Sequence, residues 1–245
     1  VTDARPNELD RLESASDAIE SLQELFASTE PLDDVLARVA QSAVSAIPDA
    51  DAVSVSVLTG TGRRTAAYTD QWVLALDDEQ YSTRRGPCLE AAETRRPVRV
   101  VVSVEGQRWP EFVAAARRSH IRATLSVPLL AERVDQDPEL IGSLNIYSRH
   151  ASAFDPFDET LMRLYTAIAG AAITNARQWQ RSRETIQQLT AALTSRSDID
   201  QAKGALRAIH GGTAEEAFQR LVKSSQDRNV KLKVVAREFL ASLDK

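Results

Sequence analysis

The sequence predicts an α+β domain on a central antiparallel sheet of about 5–6 strands, joined by a long coiled-coil helix to an all-α three-helix bundle. Three observations predict it. The apolar period switches from helical to alternating near Ala52 and back to helical at Asp155. From there one series of positions, 161, 165, 168, 172, 175, 179, 182, 186, 189 and 193, keeps a strict 4-3 spacing, and eight of its ten residues are apolar. Beyond it lie three amphipathic segments with short connections.

The elements follow in order. Leu9, Leu12, Ile19, Leu22 and Phe26 recur at helical spacing over about 8–27, and Pro31 opens a second helix to about Ile47 with Leu32, Val35, Leu36, Val39 and Ala43 on one stripe. In Ala52–Leu58 valines alternate with serines, the pattern of a half-buried strand. Thr59-Gly60-Thr61-Gly62 is a turn, with 64–69 as the returning strand and a short helix at 73–78. Gly86-Pro87 breaks the chain and starts a helix through Thr94. Strands are expected at 97–103, 122–130 and 140–147, a helix at 110–119, and a polar connection at Glu132–Pro138.

The seam from 161 to 193 fits a dimerising helix, with Ile168, Ala172, Trp179, Ile186, Leu189 and Leu193 as its apolar contacts and Asn175 as a register-setting interruption. The other reading is that its first half covers the sheet and only the second half pairs. The seam breaks at Arg196 and Asp200, and Ile199, Ala202, Leu206 and Ile209 begin a new one that Gly211-Gly212 ends. Thr213 and Glu216 form a capping box for the next helix (Ala217, Phe218, Leu221, Val222). After a break at Asp227–Asn229, Leu232, Val235, Ala236, Phe239, Leu240 and Leu243 stripe the last helix.

Charge divides the chain in the same place. All five lysines lie from Lys203 onward, and from Gln180 there are 12 Lys/Arg against 8 Asp/Glu, whereas the preceding residues carry 18 against 27. A mildly basic bundle on an acidic domain points to two tasks, one involving a polyanion, although a solvated face explains the excess equally. With 43% hydrophobic residues there is ample core, and no run reaches a membrane span. One cysteine, Cys88, excludes an intrachain disulfide and a cysteine-rich zinc site, and with no apolar signal segment at the N-terminus the expectation is a cytoplasmic protein. The chain begins with Val rather than Met, which leaves room for residues upstream.

The tail carries Ser195-Arg196, Ile199-Asp200-Gln201-Ala202-Lys203-Gly204, Ala214-Glu215-Glu216-Ala217-Phe218, Ser225 to Leu232 (SQDRNVKL) and Val235-Ala236-Arg237. These resemble the ANTAR domain, a three-helix RNA-binding fold of bacterial transcription antiterminators. The chain departs from the family pattern at Ala205-Leu206-Arg207, at Ile209 and at Gly212, where a cysteine is common. Gly86-Pro87-Cys88-Leu89, Arg108 to Phe112 (RWPEF), Leu125 to Leu129 (LSVPL) and Gly142 to Ser148 (GSLNIYS) resemble a GAF domain of the kind that precedes ANTAR in actinobacterial sensors. The resemblance implies an N-terminal helix at 1–29, a sensor domain at 30–178, a connecting helix at 155–193 and an RNA-binding domain at 182–245. It implies a regulator that takes a small-molecule signal, binds stem-loop RNA in leader transcripts and prevents termination; with the seam, the expectation is a homodimer, with no membrane, DNA or cofactor. A different class of reading makes the bundle a protein-interaction surface and the chain an adaptor.

The residue chemistry agrees with RNA. Arg196, Lys203, Arg207, Arg228, Lys231 and Lys233 can neutralise phosphates, and Gln201, Gln226 and Asn229 carry amide forks suited to base edges in RNA loops. Gly204 either admits an RNA backbone or lets helices pack closely, and Asn229 binds, caps the last helix, or both. The tail's aromatics, Phe218 and Phe239, lie on apolar stripes, so base stacking falls to arginine planes. In the sensor domain Trp72, Cys88 and Trp109 are candidate pocket residues, with Tyr81 nearby. Core packing explains the aromatics as well, and Cys88 is either a small buried residue or a redox-sensitive thiol of lowered pKa. His120, His150 and His210 have no metal-ligand spacing, and no catalytic constellation stands out.

Overall fold

The computed structural model describes residues 7–26, 29–59, 62–133 and 136–243. Gly60 and Thr61 of the expected turn, Ala27 of the first expected helix and Lys245 lie outside these. The chain divides into two compact units, Val1–Gln180 and Arg181–Lys245.

In the first unit, α1 (Glu8–Gln23, followed by a 3-10 turn Glu24–Phe26) and α2 (Leu32–Ala46) precede the sheet. Asn7 caps α1 by accepting from the Leu9 and Asp10 amides. The five strands, β1 (Ala52–Thr59), β2 (Gly62–Tyr68), β3 (Val98–Val101), β4 (Ala123–Arg133) and β5 (Gln136–Ser148), form one antiparallel sheet in the order β2-β1-β5-β4-β3. Between them lie α3 (Val73–Thr83), α4 (Pro87–Thr94) and α5 (Pro110–Arg118), and α6 (Pro156–His210) follows the last strand.

Both faces of the sheet are covered. Val53, Val55 and Val57 of β1, Leu125, Val127 and Leu129 of β4, and Leu144 and Ile146 of β5 join α1, α2 and the first five turns of α6 in the larger core. Val98, Val100, Tyr147 and Ala52 face the other way, onto α3, α4 and α5. This corrects the reading of β1 as half-buried: Ser54 and Ser56 are 0% and 3% exposed, because α3 closes over the side that alternation alone assigns to solvent. The polar stretch 132–138 is also not a plain connection. Backbone pairing of Arg133 with Gln136 and Ala131 with Glu139 carries β4 and β5 into a longer hairpin.

The first turn of α6 is bolted to α1. Asp155 accepts from the Phe157 and Asp158 amides at the helix start, and Asp158 in turn accepts from the Asp155 amide at 3.0 Å. Arg11, 5% exposed, bridges both carboxylates, at 2.8 Å to Asp155, and lies 4.6 Å from the Phe157 ring centre. Further on, α6 runs so close to β4 that a Cβ on Gly170 would sit 2.0 Å from the Leu130 carbonyl oxygen.

These contacts revise the seam. Tyr165 is buried and donates to the Val39 carbonyl at 2.7 Å, Ala172 is fully buried, Ile168 packs on the same core, and Asn175 donates to the Phe26 carbonyl at 2.9 Å. Ala172 is therefore spent on the chain's own core, and Ile168 and Asn175 are partly engaged by that core and by the 3-10 turn after α1. From Arg181 to Thr194 every residue of α6 is exposed, including Ile186 at 60%, Leu189 at 60% and Leu193 at 70%.

The helix does not end where the seam breaks. It continues through Arg196 and Asp200 to His210, and its last turns, with α7 (Ala214–Asp227) and α8 (Leu232–Leu243), make the three-helix second unit. Ala202, Leu206, Ala217, Leu221, Val235 and Ala236 form its core, flanked by Ile199, Val230, Leu232, Phe239 and Leu240. The expected capping box is present: Thr213 Oγ1 accepts from the Glu216 amide and Glu216 accepts from the Thr213 amide. Those bonds hold the Glu216 carboxyl below its ordinary range. Among the described residues no helix is long and apolar enough to cross a membrane.

Candidate functional site

In the first unit the space under α3 holds a buried polar cluster. Asp77 is fully buried and accepts from Tyr147 Oη at 2.5 Å and Thr65 Oγ1 at 2.7 Å. Ser56 shares a hydrogen bond with Tyr81 and accepts from Asn145 Nδ2 at 2.9 Å, and Ser54 accepts from the same amide at 3.2 Å. Burial drives the Asp77 carboxyl up, against the pull of these donors. Two buried polar atoms here have no partner among the described residues, Asn145 Oδ1 and Gln80 Nε2, while Gln80 Oε1 accepts from the Cys88 amide at 2.9 Å. Unsatisfied buried polar atoms beside a carboxyl of raised pKa mark a candidate binding site.

The three candidates from the sequence fall at its margin. Trp72 packs edge-on against Tyr147 at 5.9 Å between ring centres, and Trp109 is buried among the same apolar side chains, so both build core on this face of the sheet. Cys88 is 1% exposed, and burial first, then Asp77, pushes its thiol well above the ordinary value. The idea of a thiol of lowered pKa is corrected: a thiolate would lose its hydration there. Asp77, Gln80, Asn145 and Tyr147 were missed in the sequence. The alternating serines of β1 were the available signal, since a strand buried on both faces turns its polar side into a lined interior. Among the described residues no group of three or more His, Cys, Asp or Glu could hold a metal ion.

In the second unit the candidate RNA-binding residues form two groups. Arg196, Lys203 and Arg207 lie within one stripe of α6, with Gln201 and Gly204 turned further from the core. Gln226, Arg228, Asn229, Lys231 and Lys233 cluster at the junction of α7 and α8. Several cations are already engaged. Asp200 pairs with Lys203 at 3.0 Å and with Arg196 at 3.9 Å, Arg228 pairs with Glu238 at 2.5 Å, and Lys203 also lies 5.9 Å from the Phe218 ring centre. These pairs are exposed and individually weak, about 0–1 kcal/mol, so a phosphate can displace them. Arg207, Lys231 and Lys233 have no ion-pair partner among the described residues.

Two residues have clearer roles than the sequence allowed. Asn229 does not cap the last helix. It ends the preceding one in a left-handed conformation, φ +49°, with its amide donating to Gln226 and that of Val230 to Ser225. Its side-chain amide makes no hydrogen bond within the described residues and is exposed. Gly204 is exposed, and a Cβ there would meet nothing within 4 Å. Close helix packing within this unit therefore does not explain it.

The comparisons with known proteins agree with this division. The sequence model of the GAF domain matches residues 29–174, more than half of the chain, and that of the ANTAR domain matches residues 187–240. No curated protein matches the chain. The structure is similar to the GAF domain of a phosphoenolpyruvate-protein phosphotransferase (ptsP) from Coxiella burnetii, at 17% identity and TM-score 0.51, over 71% of this chain and 98% of that one. It is similar to a GAF sensor protein from Burkholderia vietnamiensis at 19% identity and TM-score 0.51, over 68% and 98%. Likeness at this identity shows the fold alone. GAF domains are sensors and ANTAR domains are RNA-binding antiterminator folds. With a GAF match over most of its length and an ANTAR match behind it, the chain belongs to the GAF family as a GAF–ANTAR protein, a sensor joined to a regulator.

Proposed function

We propose that this protein binds hairpin RNA in nascent transcripts through its C-terminal unit and prevents transcription termination when its sensor unit receives a small-molecule signal. The carrying observation is the set of unengaged groups within the ANTAR match: the cations Arg207, Lys231 and Lys233, the free amide of Asn229 and the open backbone at Gly204. Cations supply affinity without sequence preference, whereas amide forks discriminate among unstacked loop bases. The buried cluster around Asp77 and Asn145 supports a polar small molecule as the signal. A protein of this function works where transcripts are made, in the cytoplasm.

The active form in this reading is a homodimer. Ile186, Leu189 and Leu193 keep coiled-coil spacing on a stretch of α6 whose described side chains are all exposed, and an isolated helix of that length is unstable in water without a partner face. Replacing Leu189 and Leu193 with Asp dissociates the dimer in analytical ultracentrifugation and weakens hairpin binding. The logarithm of affinity falls with the logarithm of salt by about 0.7 per contact made to single-stranded phosphates, and Lys231→Ala lowers that slope by about one contact. A monomer with unchanged RNA affinity refutes the coupling. No binding to structured RNA at low salt refutes the RNA reading and favours a protein partner for the bundle.

A further inference from the structure

The sensor unit has a second concavity, away from the polar cluster under α3. It has a volume of about 690 Å³ and lies where the end of β3, the C-terminus of α5, the start of β4 and the end of β5 meet. Among the described residues its titratable lining is Arg117, His120, Arg122 and Arg149, with no carboxylate, and Val102 and Ile121 give it an apolar floor. Three guanidinium groups in one cleft run against the composition of this part of the chain, where acidic residues outnumber basic ones by 27 to 18.

Helix polarity explains only part of the concentration. Basic residues are favoured in the last turn of a helix, which accounts for Arg117 and for Arg118 beside it. It accounts for neither Arg122 nor Arg149, which come from strand ends. Arg117 and Arg122 have no ion-pair partner among the described residues, and Arg149 is held loosely by Asp51 at 3.8 Å with its guanidinium 5.7 Å from the Trp72 ring centre. The segments that carry these groups are fixed to each other. The Val102 amide donates to the Arg122 carbonyl at 2.9 Å, and the Arg122 amide donates to the Ser148 carbonyl at 2.8 Å. His120 ends α5 in a left-handed conformation, φ +59°, with its amide donating to the Arg117 carbonyl and that of Ile121 to the Ala116 carbonyl, which fixes the turn into β4.

We infer that this cleft binds a small organic polyanion, a phosphate ester or a polycarboxylate, as a ligand of the sensor unit separate from whatever occupies the cluster under α3. The volume is that of a small-molecule site. Guanidinium forks match the paired oxygens of phosphate and carboxylate, and the apolar floor receives the carbon part of the ligand. This inference does not depend on RNA binding by the second unit.

The test is isothermal titration of the full chain with inorganic pyrophosphate and, separately, with citrate, at fixed ionic strength. The expected result is one saturable site per chain for at least one probe, and the stronger arm distinguishes phosphate from carboxylate chemistry. Arg122→Gln and Arg149→Gln each weaken that binding about tenfold, the scale of one lost charged hydrogen bond. Arg122→Lys keeps the charge without the fork and falls between. Arg118→Gln, exposed beside the cleft but outside its lining, leaves binding unchanged. Absence of a saturable site for both probes, or equal affinity in Arg122→Gln and Arg149→Gln, overturns the inference. So does an equal loss of hairpin RNA binding in those two variants, which would make the cleft part of an RNA surface.

Discussion

Replacing Gly204 with Ala separates what this residue does for the fold from what it does for the ligand. Glycine inside a helix is less favourable than alanine by about 1 kcal/mol, because the unfolded chain has more freedom to lose and the helix gains no side chain. A packed glycine recovers that difference through close backbone approach, but a Cβ at Gly204 meets nothing within 4 Å. The substitution is therefore expected to stabilise the C-terminal unit by about 0.5–1 kcal/mol. In a unit of this size that raises the melting temperature by roughly 2–8 °C. Calorimetry on the whole chain reads the change in the transition of that unit. Fluorescence anisotropy with a labelled hairpin reads the other half. If an RNA backbone lies against α6 at this point, the added methyl weakens binding about tenfold or more while the fold gains stability. A loss of stability refutes the account of Gly204 as an open surface position. A gain in stability with unchanged RNA affinity removes Gly204 from the proposed interface.

Two further substitutions test how the sensor unit is held together. Gly170→Ala forces a Cβ to 2.0 Å from the Leu130 carbonyl oxygen, so α6 must move off β4. We expect a loss of about 1–3 kcal/mol in urea denaturation, and an unchanged midpoint contradicts the close approach. Arg11→Met leaves Asp158, 2% exposed, without its buried counter-charge, for an expected loss of about 3–5 kcal/mol. The same change alters acid stability. The hydrogen bond from Arg11 holds the Asp155 carboxyl well below its usual range. Its contribution is therefore present above the unfolded value, about 3.9, and is lost as pH falls through the lower folded value. Melting temperature measured from pH 5 downward should fall less steeply in Arg11→Met than in the parent chain, and parallel curves contradict that linkage.

Much of the fold was legible in the sequence because its elements announce their periods. The strands carry alternating valines and leucines, Gly86-Pro87 marks the start of α4, and Thr213 with Glu216 marks that of α7. What failed did so for physical reasons. Alternation of Val and Ser in β1 reports two different faces but not whether the polar one meets water, and here α3 covers it. A 4-3 spacing is the same whether the partner is a second copy or the chain's own sheet, so Ile168 and Ala172 fitted a seam that the sheet takes up. Arg196 and Asp200 break the apolar series without breaking the helix, because neither is Gly or Pro, both sit on the solvent side of α6, and they pair with each other one turn apart at 3.9 Å.

The candidate site was read unevenly for a related reason. Lys203 and Asn229 were found as residue types, but the ion pair of Lys203 with Asp200 and the left-handed backbone of Asn229 are tertiary and turn properties that composition does not encode. Asp77 lies in a short helix whose sequence does not mark it out, and its position under Tyr147 and Thr65 is what shows its burial.

The central claim is that the C-terminal unit recognises stem-loop RNA. It is tested most directly by sequencing RNA crosslinked to the full chain in cells, beside a variant in which Arg207, Lys231 and Lys233 are changed to Gln. The account predicts enrichment of leader-transcript hairpins with the parent chain and loss of that enrichment in the variant. Recovery of the same unstructured RNA from both would contradict it.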